Sequence, residues 1–276
     1  MRTGGLGGVP QEGFWARRGT VVLGALTLVS LAVLVVLGLF VSDPDFQQGD
    51  AVRLMYLHVP AAWIAYLAYG VTSLASGLYL WRRTRSPAWD TLAGASAEIG
   101  VLFTGLTLVL GSLWGRPVWN VWWAWDARVV STAVLFFLYL GYLALRRVPA
   151  DPAVRARRSA IAALAAFVDV PVVHFSVEWW RTLHQKGTVF NRELNPTIEG
   201  NLAWALLSGV VAFTLLYLYL LERRYRLALM EEAIEGRALD VAIAERRAEA
   251  DAPPVTPGGM GGVPPTAAAG AAKERS

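Results

Sequence analysis

The chain has 276 residues, of which 55% are hydrophobic and only 17% charged, and its mean hydropathy is +0.42. That composition excludes an ordinary water-soluble domain and points to a bilayer. The complete lack of cysteine excludes disulfides, thiolate metal sites, thiol redox work and covalent attachment of a prosthetic group through CxxCH. The net charge of +4 is accounted for by arginines that flank apolar segments, so it calls for no nucleic-acid partner.

In chain order, residues 1–19 end in Arg17 and Arg18 and read as a cytoplasmic N-terminus. Six windows follow, at 20–41, 60–81, 91–114, 129–145, 159–175 and 202–221. Each is uncharged enough, and long enough or nearly so, to cross about 30 Å of hydrocarbon. The expected fold is therefore all-α: a polytopic membrane protein with about six transmembrane helices. A signal peptide is the alternative for the first window, but its length and the lack of a small-residue cleavage site before Ser42 favour an uncleaved span. The arginines of the even-numbered connections and of the chain ends, Arg82, Arg83 and Arg85, then Arg146, Arg147, Arg155, Arg157 and Arg158, then Arg223, Arg224 and Arg226, mark the cytoplasmic side. Both termini are then cytoplasmic, and the other loops face outward. Residues 222–251, with Leu227, Met230, Ile234 and Leu239 at roughly helical spacing, read as a cytoplasmic amphipathic helix. The tail 252–276 is Pro, Gly and Ala with little else and is expected to be disordered. No Walker-type or GxGxxG sequence occurs, so nucleotide hydrolysis is not expected of this chain alone.

Between the third and fourth windows, residues 114–128 form an outward Trp-rich helix or loop, WGRPVWNVWWAWDAR, with five of the twelve tryptophans. Indoles settle at membrane surfaces, and they also pave platforms for flat aromatic ligands. Should Pro117 open a short helix, Trp119, Trp122, Trp123 and Asp126 share one face. All three histidines, His58, His174 and His184, fall on the outward side. A neutral imidazole is the natural axial ligand of heme iron, while a cap or a hydrogen bond to a loop carbonyl is the plainer use. Arg128 and Arg53 are candidates for pairing with ligand carboxylates, or are surface charges. Asp126 could orient Arg128 or an indole N–H. Asp169 lies inside the fifth window, where an ionisable group is costly, beside Pro171 and a kink that could use it. Glu98, near a helix end, could simply reach water.

The segment WGRPVWNVWWAWDARVVS resembles the WWD signature of heme-handling membrane proteins. HVPAAW and SVEWWRTLHQ resemble the heme exporter protein C branch, also called cytochrome c maturation protein C, over about residues 50–201. What this resemblance implies is a six-span protein of the bacterial inner membrane that binds heme b non-covalently at its outer face. Its axial ligands match His58 and His184, and the platform around the heme matches Trp114, Trp119, Trp123, Trp125, Asp126 and Arg128. His174 matches no ligand of the family. Asn120 stands where the family usually has glycine, and the charged C-terminal extension exceeds the family pattern. The family presents heme to a periplasmic heme chaperone for cytochrome c biogenesis. It works with the ATPase and permease subunits of an ABC transporter and a small membrane accessory subunit, and it is not itself an enzyme. Three rivals remain: a cytochrome c heme lyase, whose relatives are usually longer or richer in spans and histidines; a diheme electron-transfer subunit, which needs two histidine pairs; and a channel for heme.

Overall fold

The computed structural model describes residues 14–184 and 200–251, and all of its elements are helical, as the sequence predicts. In order they are α1 (Phe14–Val36), running into a π turn at Leu37–Val41; a 3-10 turn (Asp50–Leu54) that leads into α2 (Met55–Leu80); α3 (Pro87–Trp119); α4 (Ala127–Arg147); α5 (Pro152–Phe167); α6 (Asp169–Trp179); and α7 (Gly200–Asp251). Six helical segments are long and apolar enough to span a bilayer, with α5 and α6 together making the fifth. Residues 1–13 and the tail 252–276, for which disorder is expected, lie outside the described residues.

The helices start where local chemistry satisfies their first N–H groups. Ser86 and Asp151 each precede a proline at the first helical position, and their side chains accept from Ala88 N and from Ala153 N and Val154 N. A proline there has no N–H to leave unpaired. The fifth span is broken where the sequence suggests a single run. Pro171 has no N–H for the Phe167 carbonyl, and the Val168 N–H turns to Ala165 O instead (3.3 Å); the chain restarts as α6 at Asp169. No helix break separates 222–251 from the last span. Glu222 and Arg226, one turn apart, form an ion pair, and no proline interrupts the run of helix formers.

By its contacts the chain divides into a bundle, 1–230, and a second unit, 231–276. In the second unit residues 231–251 are helical and exposed throughout. In the bundle α2 is central and packs most extensively on α3. Ala61, Ala65 and Ala68 of α2 are buried, as are Ala93 and Ala97 of α3, and the missing side chain of Gly100 leaves room for the Tyr69 ring, which a Cβ would meet at 2.6 Å. Lipid provides little hydrophobic drive between helices, so close approach of small residues and interhelical hydrogen bonds of about 0.6 kcal/mol each hold such bundles together. Here those bonds are Tyr69 Oη with Thr104 Oγ1 (2.8 Å), Ser96 Oγ with Tyr217 Oη (2.8 Å) and Trp63 Nε1 to Thr214 Oγ1 (3.0 Å). Tyr69 also stacks on Tyr139 at 3.6 Å. Apolar side chains such as Val21, Leu28 and Phe40 of the first span are exposed, as suits a lipid-facing surface.

Alternating helix directions give the bundle two chemically distinct ends. At one, buried Asp90 of α3 takes Arg146 of α4 through two oxygens and Arg155 of α5 at 3.9 Å, and Glu98 is held in two contacts by Arg224 of α7. Glu98 thus has an ion-pair partner in the bundle, where the sequence reading sends it to water. The opposite end gathers the histidines and the tryptophans of the WWD segment.

Candidate functional site

His58 sits in the first turns of α2 and is 8% exposed. Two residues later Pro60, lacking an N–H, cannot donate to the Tyr56 carbonyl. There α7 comes in closely: a Cβ on Gly209 would lie 2.8 Å from Tyr56 O and 2.9 Å from Pro60 Cγ. The imidazole lies over Gly111 of α3, where a Cβ would meet His58 Cε1 at 3.0 Å, and meets the Trp114 ring edge-on with centroids 5.6 Å apart. Its Nδ1 is buried against α3, beside Gly111 and the Thr107 backbone.

Trp114 is held in turn by the loop before α2. Asp45 Oδ1 accepts from Gln47 N (2.9 Å) and Gln48 N (2.8 Å), and Gly49, at φ 57°, closes the turn on Asp45. This turn delivers Gln48, whose Oε1 accepts from Trp114 Nε1 at 2.9 Å. Gln48, Gly111 and Gly209 are absent from the sequence reading. A glutamine in an outward loop and two glycines inside spans carry no signal until the helices are packed.

Pro117 does not open a helix. It lies within the last turn of α3, which continues to Trp119, and the residues after it up to Asp126 are not helical. Trp119, Trp122, Trp123 and Asp126 therefore do not share a helical face. α3 ends at Asn120, in the left-handed region at φ 58° and ψ 22°. Glycine suits that conformation and asparagine is the side chain that best tolerates it. Arg116 donates to the Asn120 carbonyl at 2.9 Å.

Of the tryptophans, Trp114 is buried and Trp119 half-buried beside His184, with ring centroids 5.8 Å apart. Trp123 and Trp125 meet each other at 5.8 Å, and Trp125 is 85% exposed. Trp122 lies beneath the Arg116 guanidinium.

Asp126 caps α4, its Oδ1 accepting from Val129 N at 2.9 Å. Its Oδ2 accepts from Leu183 N at 3.2 Å. The sequence reading pairs Asp126 with Arg128 or an indole, whereas backbone amides take its carboxylate. Arg128 turns to α6: Nε donates to Ser176 Oγ (3.0 Å) and Nη2 to the His174 carbonyl (2.8 Å). Arg53 donates to Asp50 (3.0 Å) and to the Leu39 carbonyl. Both guanidinium groups are thus engaged within the chain.

His174 is exposed on α6, its ring 4.8 Å from Phe175 and 6.2 Å from Tyr66. Asp169 is half-buried, with Oδ2 unpartnered. His184 lies beyond α6 in a non-helical stretch, its carbonyl accepting from Thr182 Oγ1 (3.1 Å), and its ring centroid is 6.2 Å from that of His58. Together with Gln48, Trp114, Val118, Trp119 and Leu183, His184 lines a cleft of about 40 Å³.

The histidine spacing has a direct chemical meaning. Two imidazoles on opposite sides of one metal ion, with about 2 Å from metal to nitrogen and about 1.1 Å from nitrogen to ring centre, stand about 6.2 Å apart. His58 and His184 have that separation, with an indole beside each. The donor set, two imidazoles with no thiolate and no carboxylate, suits heme iron. The cleft itself is much smaller than the roughly 300–1,000 Å³ of ordinary ligand pockets.

A family profile described as heme exporter protein C matches residues 10–240. The heme exporter protein C of Bradyrhizobium diazoefficiens is 41% identical over 207 residues, 75% of this chain and 74% of that protein. Its counterpart in Escherichia coli K12 is 38% identical over 185 residues, 66% of this chain and 74% of that protein. A ccmC-like mitochondrial protein of Arabidopsis thaliana, whose name assigns it to cytochrome c biosynthesis, is 37% identical over 201 residues, 72% of this chain and 74% of that protein. With the match spanning most of the bundle and the WWD segment, this chain belongs to the heme exporter protein C family.

Proposed function

We propose that this chain handles heme for cytochrome c biogenesis. It binds heme b non-covalently between His58 and His184 at the outer face of the bacterial inner membrane, and it delivers that cargo to a periplasmic heme chaperone. The observation that carries this reading is the 6.2 Å separation of two imidazoles that come from segments 126 residues apart. His58, fixed in α2, and His184, beyond α6, are the axial ligands. Trp114 and Trp119 flank them, and Trp123 and Trp125 extend the aromatic surface outward. Asp126 and Arg128 hold the surrounding backbone in place. Bis-imidazole ligation keeps the iron low-spin and secure, and delivery then requires that one axial ligand be given up.

The same reading makes the chain a carrier and not an enzyme. It depends on the ATPase and permease subunits of an ABC transporter, with a small membrane accessory subunit, for any step driven by ATP. The distribution of arginines supports two cytoplasmic termini, with 1–19 and the helix 222–251 on that side, 20–221 as the membrane domain with its 114–128 loop outward, and 252–276 as a tail. Purification from heme-replete cells followed by absorption spectroscopy tests the proposal. A Soret band with low-spin, bis-histidine features is expected, lost in His58→Ala. Colourless protein would overturn it.

A further inference from the structure

The two histidines are held in unlike ways. His58 belongs to a helix and is enclosed by Gly111 and Trp114, so its imidazole has nowhere to swing. His184 belongs to a non-helical arm that begins where α6 ends at Trp179. The arm is stitched to α6 by Trp180 N to Ser176 O (3.1 Å) and to the start of α4 by Leu183 N to Asp126 Oδ2 (3.2 Å). The second bond joins the residue just before His184 to the aspartate that closes the WWD segment. The cleft under the arm, about 40 Å³, is far smaller than a macrocycle, so the arm must lift to admit one, and that bond is one of the contacts that hold it down.

We propose that Asp126 is a positioning residue that latches the His184 arm, so that His184 is the axial ligand released when the cargo enters or leaves while His58 stays on the iron. This rests on the heme-binding reading above. One carboxylate does two jobs with two oxygens: Oδ1 caps α4 through Val129 N and Oδ2 holds the arm through Leu183 N. Motion of the WWD segment, for instance when a partner docks on the exposed Trp125, is thereby passed to the His184 arm through the hydrogen bond to Leu183 N.

The double role permits a clean separation. Serine at this position still caps a helix, yet its single short hydroxyl cannot also reach Leu183 N. Asp126→Ser therefore removes the latch and keeps the cap, while Leu183→Pro removes the donor and leaves Asp126 in place. The experiment is a titration of the full-length, heme-loaded ferric protein with cyanide, whose replacement of an axial imidazole shifts the Soret band. Wild type, both latch variants, His184→Ala and His58→Ala are compared. Loss of a hydrogen bond to a charged acceptor should make His184 displaceable at about tenfold or more lower cyanide. A high-spin fraction that imidazole restores should appear, as in His184→Ala. An Asp126→Ser titration that matches wild type would refute the latch, since a purely capping role predicts that result. Complete loss of heme in Asp126→Ser, as in His58→Ala, would also refute it, because the residue would then act on capture as a whole. Failure of the heme reading itself is recognised separately, by a wild-type protein with no low-spin heme before any substitution is made.

Discussion

The tightest test of the site lies at Gly111, which touches no ligand and is silent in the sequence. A Cβ there would stand 3.0 Å from His58 Cε1 and 3.6 Å from Nδ1, against an ordinary carbon–carbon contact of about 3.5–4.0 Å. In Gly111→Ala the imidazole must therefore give by a few tenths of an ångström, more than the roughly 0.2 Å within which metal–ligand distances are held. Alanine gains about 0.5–1 kcal/mol in a helix and overpacking costs about 1–3 kcal/mol, so the net loss of stability is between about zero and 2.5 kcal/mol. The variant should insert and fold yet show a weakened His58–iron bond, read as a high-spin fraction in the absorption spectrum of the purified protein. Gly70→Ala is the control, since a Cβ at Gly70 meets nothing within 4 Å; it should melt at or slightly above wild type with an unchanged spectrum. A wild-type spectrum in Gly111→Ala would refute the placement of His58 as a ligand.

Further outcomes rest on the same geometry. His58→Ala and His184→Ala should each disturb the low-spin signal while His174→Ala leaves it intact, and loss of the signal in His174→Ala alone would mean the pairing is wrong. Asp90→Asn, which leaves Arg146 facing a neutral group where the aspartate side chain is 8% exposed, should cost about 3–5 kcal/mol. Glu98→Gln breaks a pair whose side chains are 28% and 41% exposed and should cost only about 0.2–1 kcal/mol; equal losses in thermal melts in detergent would contradict the difference in burial. A reporter fused to the C-terminal tail should be active in the cytoplasm, and periplasmic activity would reverse the assigned orientation. Truncation after Asp251 should leave heme binding and cytochrome c production near normal, with severe loss pointing to a partner site in the tail.

Composition and charge were sufficient for the broad outline of this protein. Apolar runs of spanning length can be satisfied in lipid only as helices, so six spans and an all-α fold were legible without any tertiary information. Asp151 before Pro152, Ser86 before Pro87 and Pro171 inside the fifth run announce local backbone events in their own residue types, although the break at Val168 was readable only as a kink. The WWD segment and the contexts of His58 and His184 carried the family. Pro117 misled, because a proline is tolerated in a first turn and also occurs within a helix that ends further on, here at the left-handed Asn120.

Tertiary structure decided everything that depends on which faces meet. Glu98 found Arg224, Asp126 found Leu183 N, Arg128 found Ser176, and Gln48 found Trp114, all across long stretches of chain. Each of these polar groups has several partners of equal chemistry within the sequence. Only the packing of α2, α3, α4, α6 and α7 brings one of them within hydrogen-bond distance. The separation of His58 and His184 is of the same kind: periodicity and charge indicate the end of the bundle at which each lies, but the 6.2 Å between their rings depends on the close packing allowed by Gly111 and on the arm held at Asp126.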